Sequence, residues 1–141
     1  MAEFHSNMRE HDKLYAQAVE KALRLVGGLA ERKAKETISD MEAVDTGFLR
    51  NSITWALDGE AANTEEFASD NGEKQGKYEG FAENSQDGKR VLYIGTNVYY
   101  APYVEFGTRK MQARPFLTNS ILSGREEYED LFKQAFEYYM K

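Results

Sequence analysis

The sequence predicts an α+β fold: a small antiparallel β-sheet of about three strands, packed by a long N-terminal helix and a C-terminal helix, with a long acidic loop. Three observations predict it. Apolar residues recur at three- and four-residue steps from about Asp12 to Met41, the period of a helix with one buried face. Ser52-Ile-Thr-Trp-Ala-Leu57 alternates instead, the period of a half-buried strand. Between Asp58 and Gly76 no period survives, as in a solvated loop.

In the first helix Tyr15, Val19, Ala22, Leu23, Val26, Leu29, Ala30 and Ile38 form the inward stripe, opposite Lys13, Glu20, Lys21, Arg24, Glu31 and Lys35. Gly27-Gly28 interrupts it, at a cost of up to ~1 kcal/mol each relative to Ala. The pair marks either a bend or the close approach of another backbone. Residues 1–10 carry little periodicity and are expected to form a flexible arm. Asp45-Thr-Gly-Phe-Leu-Arg-Asn-Ser52 predicts one short helical turn capped by Thr46 or Asp45, with Phe48 and Leu49 turned inward.

The following strand places Ile53, Trp55 and Leu57 on one face. After the mobile acidic loop (58–76), Lys77–Glu83 is expected to be a second strand. A turn at Asn84-Ser-Gln-Asp-Gly88 leads to a third, Arg90–Thr96. That strand is apolar on both faces, which suits a central position. Tyr99 to Glu105 predicts a short helix stopped at Gly107, and Thr108 to Ala113 an extended stretch. Pro115 opens a C-terminal helix or helix pair, broken near Ser123-Gly124. Its stripe is Leu131, Phe132, Ala135, Phe136 and Tyr139.

The 141 residues fit one domain, 1–141, of a size that buries roughly 68–70% of its unfolded surface. Without cysteine the fold stands on packing alone. No apolar run approaches the ~20 residues that span a bilayer, and the N-terminus lacks the pattern of a signal peptide. A soluble, cytoplasmically made protein with no membrane partner is the expectation. The net charge of −6 resides in one segment: Asp58 to Gly88 holds nine acids and two lysines, while the remainder is close to neutral. No basic stripe offers the non-specific grip that nucleic-acid binding needs. The acidic loop, with Asp58, Glu60, Glu65, Glu66, Asp70 and Glu73, has two readings. It is a solvated insertion, or copies of it line a space from which DNA is repelled.

Catalysis has little to work with. Without Cys, and with His5 and His11 as the only histidines, Cys–His and Ser–His–Asp arrangements are poorly supplied. His5, His11 and Asp12 on a loose arm make a weak metal site. There is no phosphate-binding glycine loop. No enzyme activity and no cofactor are expected. Glu105 and Arg114 stand in otherwise apolar or aromatic sequence on either side of Gly107. A buried charge there needs an opposite partner, so the expectation is a Glu105–Arg114 ion pair; otherwise one of the two faces solvent or a neighbouring subunit. The many tyrosines suit either core positions with satisfied hydroxyls or a contact surface.

Two blocks carry a resemblance. Asp45-Thr-Gly-Phe-Leu-Arg-Asn-Ser-Ile53 is followed, after a variable insertion, by Tyr100-Ala-Pro-Tyr-Val-Glu-Phe-Gly-Thr108 and Ala113-Arg-Pro-Phe-Leu117. In order and spacing, residues 10 to 140 resemble the tail-completion or head–tail joining proteins of long-tailed bacteriophages and prophages. The resemblance implies a non-enzymatic virion component: a homo-oligomeric ring, usually six-fold, at the head–tail junction. There it would meet neck or adaptor proteins on one side and tail-tube or tail-terminator proteins on the other, and DNA would pass without specific binding. A tail terminator or minor capsid subunit is the alternative, an accessory enzyme or DNA-binding protein a more distant one. Carried over by motif, Thr46, Gly47, Leu49, Ser52, Tyr100, Tyr103, Glu105, Phe106, Gly107, Arg114, Pro115 and Phe116 are expected to shape the fold and present the interface. The acidic insertion has no counterpart in the two blocks.

Overall fold

In the computed structural model the described residues are 2–40, 47–84 and 90–141, with side chains in the first helix from His11 onward. Helix α1 runs unbroken over Ala2–Asp40. The arm expected over residues 1–10 is therefore helical from Ala2. Ala18, Ala22, Val26, Ala30, Ala34 and Ile38 are buried along α1, one every fourth residue, and this mostly small-residue stripe lets neighbouring helices pack closely. The helix continues through both glycines. A Cβ on Gly27 would lie 2.5 Å from Cδ2 of Trp55, whereas nothing lies within 4 Å of one on Gly28. Gly27 is thus a close approach, to an indole ring rather than to backbone.

Helix α2, Phe48–Asn51, is capped by Gly47 at φ 80. Thr46 and Asp45, the expected caps, lie outside the described residues. Leu49 is buried and Phe48 packs against the core. Strand β1, Thr54–Leu57, is antiparallel to β4, Leu92–Gly95, with Trp55 opposite Ile94 and Leu57 opposite Leu92. Ile53, Trp55 and Leu57 are buried as the alternation predicts.

The acidic stretch departs from expectation. It contains a second antiparallel pair, β2 (Glu66–Ala68) and β3 (Gln75–Lys77), with Phe67 opposite Gly76. Phe67 explains why: it is buried between Phe48 and Tyr78, ring centroids 5.2 Å from each. One buried aromatic anchors a hairpin whose other strand residues are polar or small, so hydrophobic periodicity did not reveal it. The outer edges of this hairpin are plugged by side-chain amides. Asn51 Nδ2 donates to the Ala68 carbonyl (2.8 Å) and Asn97 Nδ2 to the Lys77 carbonyl (2.7 Å).

Among the described residues there are two two-stranded sheets instead of one three-stranded one. Residues 78–83 form no strand, and the turn expected at Asn84–Gly88 lies, beyond Asn84, outside the described residues. β4 is consequently an edge strand, not a central one, and Tyr93 is exposed.

The C-terminal helices follow the prediction closely. Helix α3 is Ala101–Phe106, α4 is Phe116–Ser123 and α5 is Arg125–Met140, the last two separated at Gly124. α5 lies along α1, with Phe136 edge-on to Tyr15 at 5.3 Å and Lys33 paired to Glu127 at 2.9 Å. Leu49, Ile53, Phe67, Val98, Ala101 and Phe116 share one core with Ala34 and Ile38. Both sequence blocks therefore meet in the same core.

Candidate functional site

The site is the joint α3–loop–α4. Two faces of α3 are occupied very differently. Ala101 and Glu105, four residues apart, are buried. Tyr99, Tyr103 and Phe106 are 83%, 55% and 78% exposed. At about 100° per residue, Tyr103 and Phe106 lie about 60° apart on the side of α3 away from Glu105, and Tyr99 stands exposed in the turn that leads into the helix. Tyr100, in contrast, packs on the core, with its ring edge-on to that of Tyr99. Of the predicted interface aromatics, Tyr103 and Phe106 are presented outward and Tyr100 and Phe116 are not. Tyr99 is an addition, legible as the residue four before Tyr103.

Glu105 does not pair with Arg114. Its carboxylate accepts hydrogen bonds from the Leu117 N–H (3.0 Å), the Thr118 N–H (2.9 Å) and the Thr118 hydroxyl (2.5 Å). These N–H groups are the free donors of the first turn of α4, which has no side-chain cap of its own because Pro115 stands at the N-cap. The first amides of a helix are unsatisfied and carry the positive end of its dipole. A buried carboxylate is as well served there as by a guanidinium. Arg114 keeps only a backbone role, its N–H donating to the Val104 carbonyl at 2.7 Å, and its side chain is exposed.

The intervening loop is a tight turn rather than an extended stretch. Thr108 and Met111 exchange backbone hydrogen bonds of 2.9 and 3.3 Å, and the Thr108 hydroxyl accepts from the N–H groups of Lys110 and Met111. Gly107 makes the reversal possible. Its φ is +78, and a Cβ there would sit 2.7 Å from the Ala113 nitrogen.

The remaining predicted residues are structural. Ser52 is fully buried; its hydroxyl bonds the Leu49 carbonyl (2.6 Å) and the Thr96 hydroxyl (2.5 Å). Beside them burial pushes the Tyr78 phenol up to about 12, partly offset by the Thr96 and Ser52 hydroxyls, none of which meets it in hydrogen-bonding geometry. Gly47 lies under the Arg50–Asp70 ion pair.

Several acids of the 58–76 segment are engaged within the chain. Asp58 accepts from the Val91 N–H and contacts Arg90. Glu60 bridges Arg24 (2.8 Å) and Arg90 (2.9 Å). The Arg24 guanidinium, with a smaller pull from Arg90, holds its carboxyl below the usual range. Arg50, then Asn51, do the same for Asp70. Glu65, Glu66 and Glu73 are exposed and form no ion pair among the described residues.

Among the described residues no cluster of His, Cys, Asp or Glu is placed to hold a metal ion, and no helix is long and apolar enough to cross a membrane. Compared with known families, residues 2–107 match the HK97-gp10-like family, described as "Bacteriophage HK97-gp10, putative tail-component". No curated protein and no solved structure matches the chain.

Proposed function

The chain belongs to the HK97-gp10-like family of phage tail components, and we propose that it is a non-catalytic subunit of a ring at the head–tail junction. The ring joins the neck, portal plus adaptor, to the tail tube and lets DNA pass unbound. One observation carries the reading beyond the family. α3, anchored through Glu105, turns Tyr103 and Phe106 outward, with Tyr99 exposed in the turn before it. Rigidly held, exposed aromatics suit protein contacts, while the acidic segment disfavours retention of DNA.

Electron microscopy of particles lacking the protein tests this. Filled heads and separate tails are expected, and normally joined, infectious particles would refute it. Gold labelling distinguishes the alternatives: label at the neck supports the ring. Label on the capsid shell would make the chain a minor capsid subunit instead.

A further inference from the structure

We infer that copies of this chain associate head to tail, the α3 face and 108–114 loop of one copy seating on the acidic segment of the next. The inference rests on the ring reading above and names the contact that builds the ring. Tyr99, Tyr103 and Phe106, at their observed exposures, leave on the order of 300–500 Å² of ring surface in water. That is about half of the ~800 Å² a standard interface takes from each partner, so the rings need flanking contacts.

The flank is basic. Arg109, Lys110 and Arg114 are exposed and form no ion pair among the described residues. The surface of opposite sign is on the same chain: Glu65, Glu66, Glu73 and Glu83 are exposed and equally without an ion pair among the described residues. Phe81, two residues before Glu83 and 76% exposed, adds an apolar side chain to this surface.

The two patches stand on different elements, α3 packing on α4 and β2 on α2, and no ion pair among the described residues joins them within one copy. A two-fold contact of the α3 face with itself would set Arg109, Lys110 and Arg114 against their own copies, a like-charge clash. Seating on the acidic segment of a second copy pairs cations with carboxylates. It is a heterologous contact, the kind that closes into a ring.

The test is a charge swap in the phage that encodes the chain. One variant carries Arg109→Glu, Lys110→Glu and Arg114→Glu; the other carries Glu65→Lys, Glu66→Lys and Glu73→Lys. Each alone should lower the yield of joined particles by roughly tenfold or more, the equivalent of ~1.4 kcal/mol at the contact. Co-expression of the two cannot restore every contact, but both sets of changes in one chain should recover joining. Circular dichroism of the purified variants separates lost contact from lost fold.

An independent readout uses the absence of native cysteine. Phe106→Cys and Glu66→Cys in one chain should give disulfide-linked multimers in assembled particles, and neither single variant should. If deletion leaves heads and tails unjoined while both charge variants join normally, or the double-cysteine chain stays monomeric on a denaturing gel, this contact is wrong and the ring reading stands. If deletion has no effect, the ring reading itself fails.

Discussion

Glu105 offers the sharpest test of the joint. Glu105→Ala removes the acceptor of the Leu117 and Thr118 amides and of the Thr118 hydroxyl, at a residue only 7% exposed. Losing a helix cap costs about 0.5–2 kcal/mol. Hydrogen bonds to a charged acceptor are worth about 1.5–3 kcal/mol each, but water can reach these partly buried amides once the carboxylate is gone. A net loss of about 2–4 kcal/mol follows for Ala. Glu105→Gln keeps one good acceptor and should lose about half as much. The assay is urea unfolding of the purified chain, comparing midpoints at unchanged slope. The cap and the ion pair predict opposite partners. Thr118→Val should be strongly non-additive with Glu105→Gln in a double-mutant cycle, whereas Arg114→Ala should lie within ~0.5 kcal/mol of wild type. A large loss for Arg114→Ala, or a Glu105→Ala midpoint indistinguishable from wild type, would refute the capping argument.

Three further perturbations discriminate local causes. Gly28→Ala should stabilise the chain by about 0.5–1 kcal/mol, since open space leaves only the gain in helix propensity; Gly27→Ala should destabilise it by ~1–3 kcal/mol, because the new methyl meets the Trp55 ring. Thermal melts of the pair should move in opposite directions. Gly107→Ala should cost about 1–3 kcal/mol, because its φ of +78 and ψ of 175 lie in a region open essentially to glycine alone, and more if the Ala113 backbone cannot give way; a neutral result would mean the 108–111 turn is not needed. Tyr78→Phe removes a buried hydroxyl without a partner and should be neutral or stabilising at pH 7. Because the folded phenol titrates near 12 and the unfolded one near 10, the wild type binds more protons when folded in that window. Its stability therefore falls between pH 10 and pH 12, and the Phe variant should fall less, as followed by alkaline unfolding.

Much of the fold was written in spacing. The helical period of α1, the alternation at Ile53, Trp55 and Leu57, and the Gly107, Pro115 and Gly124 punctuation each state a local preference that packing then reinforces. What stayed hidden depends on partners far apart in sequence. Nothing near Phe67 announces that Phe48 and Tyr78 will enclose it, so the β2–β3 hairpin looked like loop. A glycine pair in a helix does not say which member faces an indole. β4 is apolar on both faces, and only the absence of a third strand makes it an edge. At the site, the residue types were informative and their pairing was not. Glu105 announced a need for a donor within apolar sequence, and arginine was the visible candidate. The first amides of α4 are donors too, but backbone groups leave no trace in composition.

That misassigned partner bears on how the aromatic face is presented. Ala101 and Glu105 share the inward side of α3, Tyr103 and Phe106 share the outward one, and Tyr99 is exposed in the turn just before the helix. A six-residue helix has too few internal hydrogen bonds to hold its own orientation. The carboxylate bound to two amides of α4 fixes both rotation and distance, since a bond of about 3 Å tolerates little slippage. Binding α3 to α4 at Glu105 thus leaves the Arg114 side chain exposed, without an ion pair among the described residues. An ion pair would have consumed the arginine and buried it. With the amides supplying the donors, the joint keeps a rigid aromatic ridge flanked by cations, which is the surface that an acidic neighbour can recognise.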